Sequence, residues 1–429
     1  MANEQARETR RVAGALAAGL GRLGLHEVED PRAAAQVTRP LARVLGTLLL
    51  GLIAGSRSLR DLERLTKRLS LPVRRRLNLW GKLPDTTVRN LLMKMRPEAI
   101  SAVLHRQVRS AHRSKQLEPD GLPFGVCAID GKYSVTRLPE GPYAQDQDGR
   151  SILRTMSCAL VSARAPVVLD AVPVPAGTNE MGIFPAVLDR LDAAYDRLDL
   201  FQLVTVDAGM TSEANAAAVR QHSWHYLMAL KDTQPTLLAE AERLLGPHKR
   251  TAPAAQTTTV VNNGKLEIRR VWFTGEAAEY HDWSHLQTMV RVQREVVEDD
   301  GNVTREDRYF VSSLAPGGLT AEQWLGVVRG HWRIENEVHG TLDRDYDEDD
   351  SPWLYATHGQ LIVKLLRRVG LNLMHLHRNV SRRGETKRGI PWKDLMMTAL
   401  TVLIGGTEAS LAGLRWPPFA HPLARGRPS

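Results

Sequence analysis

A chain of 429 residues, 43% hydrophobic and 24% charged, is long enough for two or three domains around a sizeable core and has the composition of a folded protein, not a disordered one. The formal net charge of +9 is concentrated: 16 Lys and Arg face 4 Asp and Glu between Arg57 and Lys115, which leaves −3 for everything else. Two cysteines, Cys127 and Cys158, exclude a disulfide framework and a cysteine-based metal site, and no apolar run reaches the roughly 20 residues of a membrane span.

The N-terminal segment MANEQARETRR mixes acids and bases with no long apolar run behind it, unlike a secretory signal, so a reducing cytoplasm is the expected setting. LGTLLLGLIAG reads as a buried helix. Residues 1–120 read as a helical, basic domain with turns at Asp30-Pro31, Gly55-Ser56, Leu71-Pro72 and Pro84-Asp85, and Asp85 as a helix cap. Its charge block is the footprint of contact with DNA phosphates, and Trp80 is the lone aromatic in it, so duplex backbone is favoured over a platform for single strands.

From Leu122 the pattern changes to three β-type runs, PFGVCAIDGKYSVTR, SILRTMSCALVSAR and APVVLDAVPVP. Helix NEMGIFPAVLDRLDAAYDRL, strand LFQLVTVDAGM, helix SEANAAAVRQH and strand WHYLMALK follow, then a helix from about Pro235. This order predicts an α/β fold: an RNase H-like mixed sheet flanked by helices, with its first part at 121–248. Between 249 and 308 helical periodicity gives way to TTTVVNN, KLEIRRVWFTG and LQTMVRVQREVVED, with hairpin signals at Asn262-Asn263-Gly264 and Asp299-Asp300-Gly301, which predicts an inserted β-rich subdomain. The core returns at 309–380 with RYFVSSL and a long helix, and 381–429 reads as a C-terminal helix and a loose tail.

In that late helix Leu325, Val328, Trp332, Glu335, His339 and Leu342 recur at spacings of three and four, while Arg333 and Glu337 pair on the other face. Glu335 thus sits on an apolar stripe, where an ionised carboxylate costs several kcal/mol unless a cation meets it. Asp130 and Asp207 each close an apolar strand, GVCAI and LVTV, and strand ends of open sheets are where ligands gather. Three converging carboxylates select hard divalent cations, Mg²⁺ or Mn²⁺, and two such ions about 4 Å apart suit in-line phosphoryl displacement. The acidic run DRDYDEDD lacks the glycine and spacing of a calcium loop and reads as a solvated helix end, with Asp343 facing the site as an alternative.

AIDGKYSVTR, VTVDAGMTSEANAAAVRQHSWHYLMALKDTQPTL, YFVSSL and RGHWRIENEVHGTLDRDYDEDDS together resemble the DDE transposases of bacterial insertion sequences, above all the H-repeat-associated branch, and DPRAAAQVTRPLARVLGTLLLGLIAGSRSLRDLERL is similar to that branch's N-terminal region. The resemblance implies a catalytic triad of Asp130, Asp207 and Glu335 that holds two Mg²⁺, cleavage at the element's terminal inverted repeats, and attack of the freed 3′-hydroxyl on target DNA. It also implies a homodimer on double-stranded DNA and a place on the bacterial nucleoid. A domesticated DNA-binding regulator and an endonuclease without strand transfer are the alternatives.

Within the resemblance Lys231 and Gln234 match an ALKxxQ stretch, and Asn336 and His339 match ENxxH. Where relatives carry a tyrosine, arginine and lysine around the glutamate, this chain has Val328, His331 and Leu342, so DNA contact is expected from Arg329, Arg333, His339 or Arg344, with Lys132 and Lys231 as further phosphate contacts. Of the two tryptophans in the β-region, Trp283 is the candidate for stacking on a displaced base and Trp272 for core. AGTNEM resembles the branch's Lys-Ser-Asn-Glu stretch without the lysine and reads as a helix start at Asn179.

Overall fold

The computed structural model describes residues 2–138, 141–261, 265–278, 283–298, 300–381 and 390–417. The Asn262-Asn263-Gly264 turn, Asp299 and most of the tail from Arg415 lie outside them.

Six helices open the chain: α1 (Ala2–Gly21), α2 (Leu41–Ile53), α3 (Leu59–Arg68), α4 (Leu71–Leu77), α5 (Asp85–Leu92) and α6 (Pro97–Arg113). The apolar run forms α2, buried at 12 of its 13 positions, so it is a core helix. No described helix is long and apolar enough to cross a membrane. Ser58 caps α3 by accepting the Asp61 N–H. Asp85 is not a cap; it is the first residue of α5, behind Pro84, and its N–H donates to Glu63.

The sheet has ten strands among the described residues: β1 (Val126–Val135), β2 (Ala144–Gln147), β3 (Arg150–Leu160), β4 (Val167–Pro173), β5 (Leu203–Val206), β6 (His225–Ala229), β7 (Ala255–Val260), β8 (Leu266–Thr274), β9 (Thr288–Val297) and β10 (Val303–Ser312). Its order is β2-β3-β1-β5-β6-β10-β9-β8-β7, with β4 also on β3. β1, β5 and β6 are parallel and the rest antiparallel, the mixed sheet expected. The short β2 escaped the sequence reading although Asp148-Gly149, both at positive φ, signal its hairpin to β3.

Strands β7–β10 extend the central sheet: β10 pairs with β6 through Phe310, Val311 and Ser312 and with β9 along its whole length, so one strand crosses residue 308 without a break. Helices cover both faces. α7 (Glu180–Tyr195), α8 (Glu213–Gln221) and α9 (Pro235–Leu245) pack on one. The N-terminal helices, α10 (Ala321–His331), α11 (Gly340–Arg344), α12 (Thr357–Leu376) and α13 (Trp392–Gly405) pack on the other, and α14 (Glu408–Leu411) closes the described chain.

Candidate active site

Strand alternation decides which side chains reach the site. Val126 and Ala128 of β1 face the α10–α12 side and Cys127 and Ile129 the α7–α9 side, so Asp130 faces α10–α12. On β5, Leu203 and Thr205 face the same way, and Asp207 follows in phase. The parallel register pairs Ile129 with Val206, so the next residues, Asp130 and Asp207, stand side by side, one strand spacing of about 4.8 Å apart in the backbone; Asp207 follows the end of β5 as expected, whereas Asp130 lies within β1, which runs on to Val135 along β3.

Glu335 comes from the helix laid across them. Thr205 Oγ1 lies 3.0 Å from His331 Nδ1, and His339 Nδ1 lies 3.5 Å from Asp130 Oδ2. Glu335 is midway between these contacts, four residues from each. A pure α-helix would swing a residue about 80° around its axis over eight positions. Here Ile334–His339 forms a π-turn, with the Gly340 N–H donating to the carbonyl of Glu335 five residues back, and the wider turn keeps His331, Glu335 and His339 facing the sheet.

None of Asp130, Asp207 and Glu335 makes an ion pair with a Lys or Arg among the described residues. Asp130 accepts its neighbour's N–H from Gly131, and Asp207 accepts the Met210 N–H. Burial, with Glu335, Asp207 and then Glu180 as like charges, pushes the Asp130 carboxyl up to about 7. Glu335 is raised by burial and by Asp207, against the pull of Arg308. His339 is held neutral, its pKa driven down to about 3 by burial, then Lys132 and Arg368, so its approach to Asp130 is not an ion pair.

A fourth carboxylate comes from the opposite face. Asn179 caps α7 through the Gly182 N–H, as expected of a helix start, and the first residue of that helix is Glu180. Its carboxylate fills the space above Gly131: a Cβ there would stand 2.0 Å from Glu180 Oε1. Arg154 is 3.8 Å away, and burial raises the Glu180 pKa, with Asp207 adding to it. Sequence reading took this residue as helix start alone, because only the sheet's two faces bring 131 and 180 together.

The remaining candidates separate. Lys132 is buried, with Nζ 2.6 Å from Asp343 and 3.2 Å from Asp349. Arg333 donates to the carbonyls of Val161, Ala163 and Arg164 as well as to Glu337, which ties it to the β3–β4 turn. Lys231 is exposed just past β6, and Gln234 donates to the Thr211 carbonyl. Trp283 is half-buried against the α7–α9 core, while Trp272 is buried under Arg291 and donates to Thr251. Arg329 is exposed, and Arg344 pairs with Asp345. Val328, His331 and Leu342 are all buried, so those positions could not carry DNA-contacting side chains here.

The acidic run is not a solvated helix end. Glu348 is fully buried against Lys364, Arg367 and Arg368 of α12, which sequence periodicity did not pair with it. β1 joins this network on the same face as Asp130, since Lys364 donates to Ser134 and Ser134 to Asp349.

All four carboxylates offer hard oxygen donors with a deficit of positive charge, and this donor set fits Mg²⁺ or Mn²⁺. In this arrangement no three acidic, His or Cys side chains among the described residues already converge on one ion position.

The family model of the transposase DDE domain matches residues 123–357, more than half of the chain. Among curated proteins, the chain is 22% identical over 373 residues to "Putative transposase YncI" of Escherichia coli O157:H7, covering 84% of this chain and 88% of that one. It is also 22% identical over 362 residues to "H repeat-associated putative transposase YhhI" of Escherichia coli strain K12, covering 81% and 88%. The piggyBac transposase in its synaptic complex with hairpin DNA overlaps 95% of this chain and 80% of its own at a TM-score of 0.41 and 10% identity, too distant to inform the site. By the match that spans β1 to the start of α12, the chain belongs to the transposase DDE domain family.

Proposed function

We propose that this transposase cuts DNA at the ends of its element and joins the freed 3′-hydroxyl to target DNA, with Asp130, Asp207 and Glu335 as the metal-holding triad. The observation that carries the reading is three carboxylates on one side of the sheet, two on adjacent parallel strands, within β1 and just past β5, and one on a helix pinned to both strands, with no lysine or arginine among the described residues paired to any of them. Two Mg²⁺ or Mn²⁺ ions held there would supply the charge that clamps the attacking and leaving oxygens of an in-line displacement.

The chain's own groups do the positioning. Asp207 is oriented by the Met210 N–H, and neutral His339 lies against Asp130 without adding a positive charge that would repel a cation. Thr205 and His331 fix the height of the helix over β5. No side-chain nucleophile is required: Cys127 and Cys158 are buried and their thiols are pushed up by burial, so neither offers a thiolate. Two copies of the chain acting together would bring two element ends into one complex.

The test is incubation with the gene's own flanking DNA and Mg²⁺. The wild type is expected to cut and join, while Asp130→Ala, Asp207→Ala and Glu335→Gln bind DNA without cutting. Cutting without joining would make the protein an endonuclease; binding without cutting by the wild type would make it a regulator; equal cutting by the variants would remove the triad.

A further inference from the structure

Part of the basic block expected to meet DNA is engaged by carbonyls and acids of the chain itself, at exposed or half-buried positions. Arg74 donates to the carbonyls of Leu69, Thr66 and Lys67, Arg75 and Arg76 pair with Glu408, Lys67 and Lys82 share Glu63, and Arg106 pairs with Glu27. A different cationic surface lies beside Glu335.

On the α10 face of the extended sheet, Val271, Val292 and Phe310 belong to the core, and the next inward positions toward the hairpin tips are Arg269, Arg294 and Arg308. Arg269 and Arg294 are register partners on β8 and β9, and Arg308 stands on β10. α10 supplies Arg329, and Trp332 follows it, to close a groove of about 210 Å³ that ends at the exposed Asn336, next to Glu335. It opens into a wider cleft of about 1020 Å³ that runs along α10.

Charge in the groove is not balanced. The two acids there are Glu267, buried and shared by Arg269 and Arg294, and Glu306, which takes the Arg308 Nε–H at 2.7 Å. Arg329 has no hydrogen-bond or ion-pair partner among the described residues. Arg308 lies 4.4 Å over the Trp332 ring, which aims its guanidinium along the groove. Two positive charges exceed what the acids neutralise, and burial together with Arg329 and Arg294 lowers the Arg269 pKa against the pull of Glu267. Arginine forks at successive strand positions suit phosphate oxygens.

The geometry points to this groove as the seat of the sugar–phosphate backbone of the DNA strand that is cut at Glu335, with Arg308 and Arg329 contacting phosphates beside the scissile one. The inference rests on the DNA-cutting reading above, and its test reads binding without metal.

Fluorescence anisotropy with flanking-end DNA, as duplex and as single strand, is measured in EDTA across a salt series. For Arg308→Ala/Arg329→Ala, affinity at about 0.1 M salt is expected to fall about 10- to 100-fold, and the salt slope to shrink by about two, one for each phosphate no longer neutralised. Arg329→Ala alone, at an exposed position, keeps folding out of the result and should carry part of the loss. Arg164→Ala/Arg197→Ala removes the same charge from exposed sites elsewhere and should stay within about twofold of wild type. Loss on either probe supports the groove, and the larger loss identifies the form of DNA held. Unchanged affinity and slope, equal loss in the control, or a wild type that binds neither probe would overturn the inference. A reduced salt slope alongside a wild type that never cuts would leave the groove standing and overturn only the DNA-cutting reading.

Discussion

Two groups of acids, one fully buried and one half-buried, lie around β1 and meet opposite fates. Glu348 would be raised by burial, yet Arg368, Lys364 and Arg367 hold it well below the usual carboxylate range. A few residues away, Asp130, Asp207 and Glu335 have no such cations, and Asp130 is pushed up to about 7. A fold can neutralise buried acids when stability alone decides, as it does at Glu348. Leaving the triad uncompensated costs stability and creates a demand for positive charge that a divalent ion can meet. On the function proposed above, the difference separates an acid that braces the fold from acids held for chemistry.

The largest effect expected from breaking this contrast is on turnover: Asp130→Ala, Asp207→Ala or Glu335→Gln should reduce Mg²⁺-dependent cleavage of end DNA by a thousandfold or more, roughly 4 kcal/mol, measured by gel assay. Next is Glu348→Gln, which leaves three buried cations facing a neutral amide. It should lose about 3 to 5 kcal/mol in denaturant unfolding, with Lys364→Met/Glu348→Gln recovering part of the loss.

Metal should separate the two groups. Saturation at about a hundred times Kd should stabilise the wild type by about 2.7 kcal/mol and leave Asp130→Asn nearly unmoved, as read by the melting temperature with and without EDTA.

pH should move the two groups in opposite directions. Asp130 has a folded pKa raised from 3.8 to about 7, so the metal-free native state binds the extra proton and its contribution falls as pH rises from about 4 to 7. Glu348 is depressed, so its contribution is present above the ordinary carboxylate range and lost as pH falls. Asp130→Asn should flatten the first slope and gain on the order of 1 kcal/mol at pH 8 in EDTA. The smallest change in stability is expected from Gly131→Ala, about 1 kcal/mol or less because the displaced group is the flexible end of Glu180; the same variant should show whether that carboxylate contributes to cleavage.

The mixed sheet flanked by helices was legible because it rests on local pattern, and the same patterns singled out the three acids: apolar runs ending in Asp130 and Asp207, and a stripe containing Glu335. What could not be read depends on which face meets which. Glu180 and Gly131 are brought together by the sheet, Glu348 and Lys364 by the packing of α12, and Arg308 and Trp332 by the crossing of α10 over β10. The charge block at 57–115 was legible as composition, but composition does not show which of its members already meet carbonyls and acids, as Arg74 and Arg76 do. The acidic run looked solvated because its cations lie 16 to 20 residues further on, beyond any helical spacing.

The π-turn sets a limit on how this protein can vary. Exchanging one side chain between Ile334 and His339 leaves the backbone phase intact, but deleting a single residue would restore ordinary winding and rotate everything downstream by about 100°. His339 would leave Asp130, and Asp343 would swing off Lys132, in one event. Across diverging copies of such a gene, the length of this stretch should therefore stay constant even where side chains other than Glu335 and His339 change.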